Sequence, residues 1–238
     1  MEVILWREGF NLKYIASCVI KMPWKQIYFA GTGTLLMFSL GVAKYLKERY
    51  DVRNTQVLTV SGGGIAGVAL LTLEPYEFDH VAEQIASTFA PLYRNPLANL
   101  WVGGKYRQAL ELLVTPSSLP LLRGRLQIAT TTLPARKRKL YTGPFVTVEE
   151  VVGDLQTSAY IPFYFFRLPY LRHWLEIDGG ASPSEYDSST TLVVGVGYSP
   201  EADVWLTRER MDSLVFRSYE EQMDLYRLGH ERARELLR

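Results

Sequence analysis

Apolar positions along the chain follow two alternating rhythms. Short unbroken runs at 26–30 and 56–60 are each followed by a cluster of glycines and then by apolar residues at wider spacing. Runs of that length, ended by glycine, predict strands buried on both faces, as in a parallel sheet. Leu35, Phe38, Val42 and Leu46 predict a helix over 34–50, and the almost wholly apolar segment 65–73 predicts a buried helix. Phe78, Val81, Ile85 and Phe89 predict a helix over 74–90, and another is predicted over 105–114. A strand over 125–133, a basic turn at 135–139 and a second arm over 140–145 read as a hairpin. Thr147, with Glu149 and Glu150 behind it, opens a helix over 147–155. Strands are predicted at 174–177 and 191–196, and 219–238 reads as a charged amphipathic C-terminal helix. Residues 1–23 form an irregular lead-in punctuated by Pro23. Strands alternating with helices predict a single α/β domain over 1–238, a three-layer α/β/α arrangement around a mostly parallel sheet.

Composition narrows the function classes. With 238 residues and 47% apolar content the chain can bury a sizeable core. Lys and Arg number 26 against 25 Asp and Glu, which gives no electrostatic footprint for nucleic acid. Cys18 is the lone cysteine, so no intrachain disulfide forms and a reducing compartment fits. Glu2, Arg7, Glu8, Lys13 and Lys21 break any signal-peptide core. The uncharged stretch 27–43 is short for a membrane span and is interrupted by Gly31, Gly33 and Gly41. The expected location is intracellular, cytoplasmic or peripheral to a membrane. No zinc-ligand spacing and no acidic calcium loop stands out, so neither metal nor cofactor is expected.

Three strand ends carry candidate chemistry. Gly31-Thr32-Gly33-Thr34 lies between a strand and a helix, where glycines let successive N–H groups converge at a helix N-terminus. Such a loop is either a tight turn or a nest for a phosphate or an oxyanion. Leu36 replaces the third glycine of a dinucleotide fingerprint, and no phosphate-binding lysine follows. Ser61 directly follows the strand at 56–60 and precedes Gly62-Gly63-Gly64 and a helix. It reads as a nucleophile elbow or as a plain N-cap. Asp178-Gly179-Gly180 ends the strand at 174–177, either as a turn or as an acid placed where sheet enzymes hold catalytic groups. Together the three supply nucleophile, oxyanion donors and base at one sheet edge.

In this order the motifs resemble the patatin-like phospholipase family, its animal lipase branch above all. The resemblance runs through most of 26–198. It rests on Tyr28-Phe29-Ala30-Gly31-Thr32-Gly33 with Gly41-Val42-Ala43 beyond, on Ser61 with Ala69-Leu70, on Ser158-Ala159-Tyr160-Ile161-Pro162, and on Asp178-Gly179-Gly180. It implies a serine lipid acyl hydrolase working through a Ser61–Asp178 dyad, with the 31–34 amides as oxyanion hole and a lipid acyl ester as substrate. His80, His173 and His230 lie in no triad context. The chain departs from the pattern at Thr59, where the elbow has glycine, at Leu36, and at Ala181-Ser182-Pro183 after the Asp-Gly-Gly. A second register, Gly63-Gly64-Ile65-Ala66-Gly67, puts isoleucine at the nucleophile and describes a patatin-fold lipid- or partner-binding protein without turnover.

Two surface features bear on lipid contact. The stretch 160–174 is dense in aromatics, and Phe165 and Phe166 read either as core or as a rim that meets substrate and membrane. Arg136, Lys137, Arg138 and Lys139 read as a solvated hairpin tip or as an attraction for anionic headgroups.

Overall fold

In the computed structural model, residues 20–162, 164, 175–183, 185–196, 202–206 and 214–237 are described. Nine strands are found among them: β1 (Ile20–Lys21), β2 (Gln26–Phe29), β3 (Tyr50–Asp51), β4 (Gln56–Thr59), β5 (Leu126–Thr132), β6 (Lys137–Tyr141), β7 (Glu176–Asp178), β8 (Thr191–Val196) and β9 (Val204–Leu206). Between them run α1 (Leu36–Arg49), α2 (Gly63–Thr72), α3 (Phe78–Phe89), α4 (Ala98–Glu111), α5 (Leu119–Leu122), α6 (Val148–Ser158) and α7 (Tyr219–Leu236). β1 and β3 form a separate small pair. The main sheet has the order β6-β5-β4-β2-β8-β9, with β7 joined to β5. β5-β4-β2-β8-β9 are mutually parallel, and β6 and β7 run antiparallel to β5.

The central strands are short, apolar and paired on both edges, which is what their unbroken hydrophobic runs require. Ile27, Phe29, Val57 and Ile128 put one face of the sheet into the large core, to which all seven described helices contribute. Tyr28, Leu58, Val60, Ala129 and Val193 form a smaller cluster on the other face, flanked by Tyr186 and Trp205. The mixed α/β architecture with a mostly parallel central sheet is therefore the expected one. No described helix is long and apolar enough to cross a membrane.

Several boundaries move. α4 starts at Ala98 rather than 105, because the Asn95 side chain accepts from Leu97 N–H at 2.9 Å and turns the chain into a helix just after Pro96. Gly103 and Gly104 hid that start by interrupting the apolar period. The second hairpin arm is Lys137–Tyr141, so most of the basic cluster lies in a strand and not in a turn. Lys137 pairs with Thr132, which leaves 133–136 to make the connection. Thr147 caps α6 as expected, its hydroxyl accepting from Glu150 N–H in a capping box.

Candidate functional site

β4 ends at Thr59, which lies opposite Ile128 of β5. β6 occupies the far edge of β5, so β7 takes the edge that β4 vacates and runs the other way along it, ending with Asp178 opposite Thr130. The C-terminal ends of β4 and β7 thus meet head on. They are two residues of β5 apart, roughly 7 Å at the rise of a strand.

Ser61 sits at that junction with φ of 52°, left-handed backbone that a non-glycine residue adopts only under constraint. The constraint is visible in three bonds. Its N–H donates to Ser158 Oγ at 3.0 Å, and its carbonyl accepts from Tyr106 Oη at 2.9 Å and from Gly64 N–H at 3.0 Å. Ser158 Oγ in turn donates to the Ala129 carbonyl at 2.6 Å, which ties the elbow to β5. Immediately after it, a side chain at Gly63 would lie 2.5 Å from the Phe29 carbonyl oxygen, so only glycine lets α2 begin against β2. Thr59, where the resembling pattern has glycine, is strand backbone with its hydroxyl on the Gln127 carbonyl at 3.2 Å. Its methyl group fills the space that Gly67 of α2 leaves open, so the missing side chain is on the helix instead of the strand. In the alternative register Ile65 would be the nucleophile; it is fully buried inside α2.

Gly31 to Thr34 pack directly on this elbow. A Cβ on Gly62 would come within 2.7 Å of the Gly33 carbonyl oxygen and 2.6 Å of Thr32 Oγ1, and one on Gly31 would meet Ser61 Cβ at 3.4 Å. Gly33 has φ of 53°, and the turn Gly33–Leu35 leads straight into α1. The N-termini of α1 and α2 therefore converge beside Ser61, where N–H groups of a first turn have no helical partner and the helix dipoles favour negative charge. The Thr34 hydroxyl points away, donating to the Val215 carbonyl at 2.7 Å, while that of Thr32 is sealed from solvent without a partner.

Asp178 is pinned by its main chain. Its N–H donates to the Tyr160 carbonyl at 2.8 Å, and its carbonyl accepts from Thr131 Oγ1 at 2.8 Å. Its carboxylate accepts from Gly180 N–H at 2.7 Å and lies near enough to the Ser61 hydroxyl for that group to favour its ionised form. Burial raises its pKa above the ordinary carboxylate value, and the bonds from Ser61 and Gly180 only partly offset that. Two residues back, Glu176 is buried and holds β7 in place through Lys139 Nζ at 2.8 Å, Tyr141 Oη at 2.6 Å and Thr130 Oγ1 at 2.7 Å.

An apolar pocket of about 410 Å³, part of it open to solvent, leads to Ser61. Leu36, Phe89, Val102, Tyr106, Ala159 and Ile161 are half of the residues that line it. Tyr106, which the sequence reading left as an ordinary helical residue, touches the elbow directly; burial and the nearby Asp178 carboxylate push its own pKa up, so it stays a neutral donor. The segment 158–162 serves three needs at once: Ser158 holds Ser61, Ala159 and Ile161 line the pocket, and Tyr160 anchors Asp178. His80 is exposed on α3 and His230 pairs with Glu48 at 2.7 Å, so neither lies at the pocket. Among the described residues no group of three or more metal-ligating side chains is assembled. Arg138 donates to the Pro183 carbonyl at 3.2 Å and lies over Tyr28, and Lys139 pairs with Glu176, so half of the basic cluster braces the sheet. Phe165 and Phe166 lie outside the described residues.

Were Asp178 to serve as a base it would have to be ionised, and its raised pKa would then put the acid limb of that reaction's kcat/KM above ~4, the ordinary carboxylate value. Stability runs the opposite way. A raised folded-state pKa favours the native state below the unfolded pKa, and that contribution is lost as pH rises through the folded pKa. Asp178→Asn removes the buried charge, so its melting temperature should exceed that of the parent at pH ~7, with the gap closing below pH ~4. An equal or lower melting temperature at neutral pH would contradict the assignment.

Solved structures resemble this fold. VipD from Legionella pneumophila superposes with a TM-score of 0.59 at 11% identity, over 91% of this chain and 67% of VipD. ExoU of the type III secretion system of Pseudomonas aeruginosa, in its heterodimeric complex with SpcU, gives 0.48 at 15% identity over 92% of this chain. A second structure of the type III effector ExoU gives 0.48 at 14%. The chain spans about half of ExoU, 52% and 53% in the two cases. No family model and no curated protein matches the sequence. The comparisons give no support to the animal lipase branch. The chain has a mixed α/β fold with a mostly parallel central sheet, similar to the patatin-like fold of VipD.

Proposed function

We propose that this protein is a serine lipid acyl hydrolase of the phospholipase A or lipase type. The observation that carries the reading is the meeting of two strand ends beneath an apolar pocket, with Ser61 on a left-handed elbow after one and Asp178 at the end of the other. Ser61 Oγ attacks the acyl carbonyl carbon as its proton passes to Asp178, and the N–H groups of the 31–34 loop hold the developing oxyanion. Collapse of that intermediate leaves an acyl group on Ser61, and the Asp178 proton goes to the departing alcohol. Water, deprotonated by Asp178, then attacks the acyl carbonyl carbon, and the fatty acid leaves as the bond to Ser61 Oγ breaks and that oxygen takes the proton back from Asp178. VipD, with the same fold, is a patatin-like phospholipase effector, which agrees with this chemistry. The features that favoured binding without turnover lose their force, because Gly67 accommodates Thr59 and Ile65 is a core residue.

The test is hydrolysis of a short-chain nitrophenyl ester and of phospholipid vesicles by the purified protein, with and without EDTA. No step above calls on a metal, so turnover of both substrates should survive the chelator. Loss with EDTA and rescue by calcium would overturn the mechanism, and no turnover of either ester by folded protein would overturn the function.

A further inference from the structure

The start of α4 exposes large apolar side chains. Leu97 and Trp101 are 55% and 53% exposed, with the exposed Leu100 between them. The opposite stripe of the same helix is buried, and its Val102 and Tyr106 line the pocket. Leu214 contributes another part of the pocket wall while remaining exposed, and Val215 beside it is 54% exposed. The carbonyl of Val215 accepts the Thr34 hydroxyl, so this exposed pair is fastened to the glycine loop. Single exposed apolar residues are ordinary on a protein surface, but at the start of α4 three of them fall within five positions.

Charge around the start of α4 is one-sided. Between Glu83 and Glu111 the chain has no acidic residue, yet it carries Arg94, Lys105 and Arg107. Arg107 is paired with Glu111, which leaves Arg94 and Lys105 beside the apolar turn without a carboxylate. Basic side chains flanking exposed Trp and Leu suit an anionic lipid surface, where Trp occupies the headgroup level and basic groups meet the negative potential.

We propose that the exposed apolar turn at the start of α4, with Arg94 and Lys105 beside it, docks the protein on an anionic bilayer; the inference rests on the lipid-hydrolase reading above.

Docking is measured as flotation with vesicles of equimolar phosphatidylcholine and phosphatidylserine, in a Ser61→Ala background that leaves the lipid intact. The pair Leu97→Ser and Trp101→Ser should lower the partition onto vesicles about tenfold or more. Phosphatidylcholine alone or high salt should also weaken binding. Both sites are exposed, so the melting temperature should hold. Tyr76→Ser is the control: it is 81% exposed on the turn Pro75–Glu77, at the end of α2 remote from Ser61, and should leave binding unchanged. Unchanged flotation of the double variant, or an equal loss with Tyr76→Ser, overturns the docking surface. Turnover of a soluble short-chain ester, measured with Ser61 intact, separates the two ideas. Turnover with unchanged flotation leaves the hydrolase reading standing and removes the docking surface. Flotation lost in the double variant, with no turnover by the parent, does the reverse.

Discussion

Ser61→Ala and Asp178→Asn should each reduce kcat/KM on an ester by at least about 10³-fold, and the double variant should be little worse than either. Non-additivity is the informative part. Ser61 without a base is a weak nucleophile, and Asp178 without the serine has no proton to take, so either loss disables the same step. Losses that multiply instead would mean that the two groups act in separate steps. The folded state should survive both changes. Ser61→Ala keeps the backbone bonds to Ser158 and Tyr106, and Asp178→Asn keeps an acceptor for Gly180 N–H. Circular dichroism and melting of each variant check that point independently of turnover.

Ser158→Ala should cost both stability and rate. Its hydroxyl accepts from Ser61 N–H and donates to the Ala129 carbonyl in a fully buried position. Removing it leaves the elbow N–H unpaired in the interior, which costs about 1–3 kcal/mol. The elbow is held in left-handed backbone by such bonds, so Ser61 Oγ should lose its placement, and kcat should fall roughly 10²-fold as for an ångström-scale misplacement. Ser158→Thr restores the hydroxyl and should recover part of both losses. Urea unfolding together with separate kcat and KM values reads the effect. A Ser158→Ala protein with parental stability and kcat would show that the elbow does not depend on this bond.

What the sequence made legible follows a physical division. Ser61, Asp178 and the 31–34 glycines each stand directly after a short apolar strand, so local pattern alone marks them as strand-end turns. Their mutual position depends on which edge of β5 receives β7, a choice that no local signal encodes. Ser158 and Tyr106 escaped notice as elbow supports because their bonds to Ser61 span 97 and 45 residues. Ser158 stands out in the sequence only as the first residue of the 158–162 run that carries the resemblance, and Tyr106 only as a member of the helix expected over 105–114. The basic cluster was misread as a turn because charge density resembles a solvated tip, whereas β-pairing with β5 draws 137–139 into a strand. Thr59 seemed a defect until Gly67, eight positions on, supplied the space.

The central claim is that Ser61 is the nucleophile, and covalent capture tests it most directly. The protein is treated with a fluorophosphonate probe, digested, and the modified peptide identified by mass spectrometry. The account predicts one label, on Ser61, lost in Ser61→Ala and strongly slowed in Asp178→Asn. A label on another serine, or none on protein whose melting transition shows it folded, would contradict it.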